Sequence, residues 1–386
     1  MRHGICGLVL LAAIFLWGTS LFVPCAKAGD PSVKELLDRA GIKPKGDQRG
    51  QMDTVGFVTT ARQMDNVMTQ CNELAAPRHK TLEDQYGWTS ETAFIAGVCP
   101  HDDYYYAGRL YPLLLSHVKA KTVILFGVFH KARVFDHKDR LVFDSYKTWR
   151  GPYGPVNVAP LRDEIIGQLP DEDYVVNNDM QMVEHSVEAI VPWLQAYNRN
   201  VEIISILVPY MTWETMDRLA ADLSTALEKI LRAKKWRLGE DVCLIASADA
   251  VHYGDSGWGG SSYAEFGTDV VGYQRAVERD LSLARNHLSG PVDRDHLKEF
   301  LYTCVDRNDV MTYRVTWCGR FSVSFGLNVA SRLTEAMEDR QLEGRILDYG
   351  TSVSEASLDT KDLDGLGSTA PNNFRHFVGY AAIGYE

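Results

Sequence analysis

Four histidines, one cysteine and three carboxylates stand where strand-like runs end or helical runs begin. His101 follows Val98-Cys99-Pro100, and Pro100 fixes the backbone ahead of it. His130 follows the aliphatic run Val123-Ile124-Leu125 and Gly127. Glu184-His185-Ser186-Val187-Glu188 opens a run of helical spacing, Asp249 and His252 follow Ile245-Ala246-Ser247-Ala248, and Cys318 precedes Gly319 and another helical run. Imidazole and thiolate are ligands for late first-row metals, so two histidines with a cysteine suit copper, zinc or iron better than magnesium or calcium. Three protein ligands leave coordination positions open for water or substrate. A thiolate is favoured just before a helix. Asp249, three residues before His252, can orient that ring or set its tautomer, which makes His252 a candidate acid/base.

Each of these residues also has an ordinary structural use. A single histidine past a strand more often bonds a loop than a metal. Glu184 and Glu188 in a first helical turn would serve the helix dipole, His185 can cap a helix or touch a substrate, Asp249 can cap backbone amides, and a cysteine is usually just buried. No spacing here forms a compact motif such as paired CxxC, so the fold must bring distant residues together.

The elements that must do so alternate along the chain. Ala93 to Val98, Thr122 to Phe129, Val201 to Tyr210 and Val242 to Ala248 read as strands. Ala107 to Lys119, Leu161 to Leu169, Val187 to Tyr197, Thr212 to Trp236 and runs near 269–287, 293–304 and 320–337 read as helices, with Arg345 to Val353 and Phe377 to Tyr385 as closing strands. Val134 to Asp144 reads as a hairpin, with His137 on its surface. This alternation predicts an α/β fold: a mixed, largely parallel sheet covered by helices on both faces. Sites in such sheets gather at the carboxyl ends of strands, where His101, His130, Asp249 and His252 fall. A Gly/Ser-rich loop spans Gly254 to Ser262.

Three parts are expected. Residues 1–28 read as a signal peptide: Gly7 to Trp17 is apolar and Ala26-Lys27-Ala28 fits a small-x-small cleavage site, which predicts export to a periplasm-like compartment. Residues 29–90 read as a mostly helical N-terminal extension, with helices at Val33 to Ala40 and Val58 to Leu74 and irregular chain from Arg78 to Trp88. Residues 91–386 hold the α/β domain. The net charge of -11 argues against a nucleic-acid partner, and no segment past the leader is apolar enough to span a membrane. Of seven cysteines, removal of the leader leaves five, so at least one thiol is unpaired; a Cys71–Cys99 bridge is open to the sequence and Cys243 reads as buried in a strand.

From about Phe94 to Tyr385 the chain resembles the Memo family, also called protein B of the AmmeMemoRadiSam system. The blocks Pro100-His101 to Gly108, Gly127-Val128-Phe129-His130-Lys131, Glu184 to Glu188, Ser247-Ala248-Asp249-Ala250-Val251-His252 and Cys318-Gly319-Arg320 occur in the family's order. The resemblance implies a fold like that of the class III extradiol dioxygenases. It implies His101, His130 and Cys318 as ligands of one iron or copper ion, with Asp249 and His252 beside it; Glu184 and His185, in the block that the family shares, stand as candidates for a supporting group and a substrate contact. The extradiol enzymes carry a glutamate where the thiolate would stand, so ring cleavage does not follow from the fold. The implied partner is a small molecule or a peptide. Departures from the family pattern are Asp102-Asp103, Phe129, Lys131 and Phe321-Ser322-Val323-Ser324, with the two acids and the lysine expected near the pocket mouth.

Overall fold

The computed structural model describes residues 31–254, 263–354 and 357–386. The expected leader and most of the Gly/Ser-rich loop lie outside the described residues. Ser32–Glu386 forms one unit built on a mixed sheet. Its centre is four parallel strands in the order Glu202–Val208, Thr122–Val128, Val242–Ser247 and Ala96–Cys99. These are mostly Val, Ile, Leu, Ala and Phe, and almost every residue in them is buried, as strands covered on both faces require. His376–Tyr385 then joins antiparallel to Ala96–Cys99, and Glu343–Thr351 antiparallel to it.

Alternate residues of these strands meet different helices. A Cβ on Gly97 would strike Leu114 of the helix Leu110–Leu115. Ala246 and Phe126, on the other face, sit against Gly326 of the helix Arg320–Glu338. Behind Leu110–Leu115 lies Ala61–Tyr86; behind Arg320–Glu338 lie Trp213–Lys234 and Arg294–Cys304. Thr212 caps Trp213–Lys234 as expected, accepting from the Thr215 amide at 3.3 Å. The α/β class, the parallel centre and the helical cover agree with the sequence reading.

Several elements differ from it. The helix begun at Ala61 runs through Pro77 to Tyr86 and ends at Gly87 in the left-handed conformation, where irregular chain was expected after residue 77. Ala75 and Leu82 are buried on one face, and that packing outweighs the break a proline signals. Residues 134–144 form no hairpin: residues 131–136 are turns, and Leu141–Phe143 pairs with Tyr174–Val176 and Glu202–Val208. His137 is buried there, against the Arg140 carbonyl at 2.8 Å. The hairpin lies later, at Thr148–Gly151 and Gly154–Val158. The stretch read as an extension packs within the same unit: Gln48–Arg49 pairs with Thr148–Gly151, and Phe57, Met64, Val67 and Cys71 are in the main core. All five described cysteines are free thiols, so Cys71 and Cys99 are not bridged, while Cys243 is buried in its strand. No helix among the described residues is long and apolar enough to cross a membrane.

Candidate metal centre

Parallel pairing sets the level of the site. Cys99 lies opposite Ser247 and Phe126 opposite Ala246, so three strands end together and His101, His130 and Asp249 emerge at one edge. Asp249–Gly254 is a further strand, in a stretch to which the sequence reading assigns no element; it pairs with His376–Tyr385. The register slips between Asp249 and His252, with three residues set against two. In a regular strand, side chains three apart point to opposite faces; the bulge turns Asp249 and His252 to the same side. Residues 316–319 bind this strand: the His252 amide donates to the Thr316 carbonyl at 3.0 Å and the Cys318 amide to the Ala250 carbonyl at 3.1 Å. The approach is close enough that a Cβ on Gly319 would stand 2.1 Å from Ala248 Cβ, which is why the residue after Cys318 has no side chain.

Glu184 is not in a helix's first turn. It lies in a turn between Asn178–Met182 and Val191–Tyr197, docked on a strand end by the Ser186 hydroxyl, which donates to the Val128 carbonyl at 3.0 Å. Its buried carboxylate accepts from His130 N (2.8 Å), His130 Nδ1 (2.8 Å), His185 N (2.9 Å) and Ser186 N (2.8 Å). His130 Nδ1 therefore carries a proton, and Nε2 is left for the site. The same holds for His101. The Ser247 hydroxyl donates to the Ser186 carbonyl at 2.5 Å, so its oxygen accepts from His101 Nδ1 at 2.8 Å. His101 Nε2 lies 3.4 Å from Cys318 Sγ and 3.3 Å from Asp249 Oδ2, and His130 Nε2 lies 2.9 Å from the same sulfur.

Electron-rich atoms that converge like this require a cation among them: protons on the imidazoles, or a metal. Burial alone would raise the Cys318 thiol, but the His130, His101 and His252 imidazoles hold it well below the usual thiol range. Burial opposes charge on His130 too, yet Glu184 and Cys318 raise it well above the ordinary histidine value. His101 is raised against burial by Asp249 and Cys318. Glu184 is lowered against burial, chiefly by His130. His252 Nε2 is 3.7 Å from Asp249 Oδ2; burial lowers it, but Cys318 and Asp249 together raise it to about 10.

The donor set fits a metal ion on its own chemistry. Two imidazoles present Nε2 with Nδ1 held by a carboxylate and a hydroxyl, the outer partners that metal-binding histidines characteristically have, and a thiolate completes the set. Ring exposure grows outward: His101 is 1% exposed at the side chain, His130 23%, His252 24% and His185 35%. The open side of the centre is thus lined by His130, His185 and His252.

Glu188 is brought elsewhere. It forms a buried ion pair with Arg49 and accepts from the Met52 and Asp53 amides at 2.7 and 3.0 Å. Asp103 is not at the mouth: it is buried and accepts from the Ala370 amide at 2.8 Å and from Thr369. Asp102 accepts from the Tyr380 hydroxyl at 2.8 Å, Phe129 is buried against Phe135, and Lys131 is half-buried beside it. The sequence reading missed Arg49, whose guanidinium also donates to the Gln181 carbonyl at 2.7 Å and to the Glu184 carbonyl. It named Ser247 without seeing its bond to His101. It also missed Asp280, which accepts from Trp317 Nε1 at 2.8 Å and the Val251 amide at 3.1 Å and so braces the two segments carrying Cys318 and His252.

Strand-end histidines facing a helix-start cysteine on a largely parallel sheet define an α/β protein with a His/His/Cys centre. The family profile described as Memo-like protein matches residues 57–363, and the chain belongs to that family. A MEMO1 family protein of Methanosarcina barkeri is 29% identical over 170 residues, covering 42% of this chain and 56% of that protein. One from Archaeoglobus fulgidus is 30% identical over 164 residues (42% and 57%), and one from Pyrococcus furiosus 25% identical over 285 residues (71% and 85%). In the first of these alignments the chain spans about half the length of the relative it matches.

Proposed function

We propose that this Memo-family protein holds one iron or copper ion on His101, His130 and Cys318 and performs redox or oxygenase-like chemistry on a small molecule at the open side of the centre. The observation that carries the reading is the convergence of two imidazole Nε2 atoms on one sulfur, each ring fixed through Nδ1. Either metal would supply one-electron chemistry and a Lewis-acid position when bound. The chain's own residues supply the rest. His252, beside Asp249 at 3.7 Å, stands on the open side as the residue placed to give or take a proton. Asp249 accepts from the His101 amide at 2.8 Å and so links the positions of the two rings. Glu184 fixes His130, and His185 lines the entrance. Export through the apolar leader is part of this proposal, and N-terminal sequencing of the mature chain tests it: a start at Gly29 supports it, a retained Met1 overturns it.

Elemental analysis of the purified chain is expected to find about one iron or copper per chain, and His101→Ala to abolish it with the fold intact by circular dichroism. Full retention of metal by a folded His101→Ala variant overturns the site. Oxygen uptake with catechols after anaerobic Fe(II) loading tests the oxygenase part. Rapid metal exchange without turnover of any catechol instead favours metal storage or delivery. Binding of an anionic peptide with no dependence on metal would favour a peptide-binding module.

A further inference from the structure

His185 has a place at the centre that the His/His/Cys reading does not use. One ring nitrogen each from His101, His130 and His185 lie within 4.8 Å of one another, and so do donor atoms of His101, Asp249 and Cys318. The ring centroids of the three histidines are 5.3, 4.8 and 5.9 Å apart. Three imidazoles around one tetrahedral ion, with nitrogens at ~2.0–2.1 Å, have centroids roughly 5 Å apart, so the rings need only turn and draw in slightly. The His185 backbone is anchored by Glu184, the same carboxylate that fixes His130. Its ring makes no hydrogen bond among the described residues; its charged neighbour is Glu184 Oε1 at 3.7 Å.

We propose that the centre offers a bound ion two positions that share His101 and His130: an inner one on Cys318 with Asp249 alongside, and an outer one on His185. The two cannot be filled together, because Nδ1 of both shared rings is engaged and each has only Nε2 to give. The positions differ in chemistry. The inner one is sulfur-containing and buried, and takes soft ions such as Cu(I). The outer one is all-imidazole and nearer solvent, and takes borderline ions such as Cu(II), Zn(II) or Co(II) when the thiolate is removed or otherwise engaged. A metal that changes oxidation state, or that enters and leaves, therefore has an outer station lined by His185.

This inference rests on the metal reading above, and cobalt separates the two. In Co(II) titration of the purified chain, the wild type is expected to bind one equivalent and show the near-ultraviolet absorption of a sulfur–cobalt bond. Cys318→Ala is expected to lose that band but still bind one Co(II), with affinity lower by roughly tenfold or more and visible absorption of an imidazole site. His185→Ala is expected to keep the band with little change in affinity, and Cys318→Ala/His185→Ala to bind no Co(II). A folded Cys318→Ala that binds none, or a double variant that binds as well as Cys318→Ala alone, overturns the outer position while leaving the His/His/Cys reading standing. A wild type that binds no Co(II), Zn(II) or Cu(I) overturns both.

Discussion

At the scale of single residues, the centre depends on what holds the far side of each ring. Glu184 gives four acceptor contacts to two histidines and a serine while fully buried. Glu184→Gln keeps the volume but loses the charge that sets the His130 proton on Nδ1, and its amide cannot accept from all four donors. Metal affinity is expected to fall by roughly 10–100-fold, read by competition with a chelator, while the fold persists. The residue types at the centre were legible in the sequence: His101, His130, Cys318, Asp249, His252 and Glu184 all fall together. Their ring partners were not. A serine past a strand or a carboxylate in a turn has many ordinary uses, and only the fold shows that Ser247 faces Nδ1 of a ring 146 residues away.

At the scale of elements, the long strands and helices could be read because their apolar runs are long and their caps strong. The short ones could not. The sequence of Asp249–Gly254 shows no element because its strand character comes from pairing with His376–Tyr385, more than a hundred residues on, and its bulge hides the period of two. That segment is braced by Asp280, whose carboxyl is raised to about 6, mainly by burial. The direction of the resulting pH dependence follows from proton counting. Between the ordinary value of 3.8 and about 6 the folded chain binds this proton more tightly than the unfolded chain. The stability it contributes is therefore fully present below the lower value and is lost as pH rises through the upper one. Asp280→Asn, which can still accept from Trp317 but turns a donor toward the Val251 amide, is expected to lower stability overall and to flatten that part of the stability–pH curve. The wild-type loss across the window is on the order of 2–3 kcal/mol, and urea midpoints taken from pH 4 to 7 measure it.

At the scale of the whole molecule, the N-terminal stretch supports the site from behind. Arg49 lies over the Trp149 ring at 4.0 Å, pairs with Glu188 and donates to two carbonyls of the chain leading into Glu184. Nothing in the local sequence around Arg49 distinguishes it from a surface arginine, so the region read as chemically silent. Arg49→Met is expected to lower unfolding free energy by about 3–5 kcal/mol, because it leaves Glu188 buried without its cation. Adding Glu188→Gln is expected to recover part of that loss in denaturant titrations. Additive losses from the two changes would show that the pair is not coupled.

The place of the strand His376–Tyr385 has a consequence for how the protein is made. It lies in the sheet beside Ala96–Cys99, its far end pairs with the strand carrying His252, and Tyr380 bonds Asp102 next to His101. The strand His376–Tyr385 thus completes one wall of a site whose first candidate ligand, His101, was synthesised nearly three hundred residues earlier. A chain still emerging from the ribosome has no such wall. The candidate site is therefore assembled only once that strand has been made and paired, late in folding.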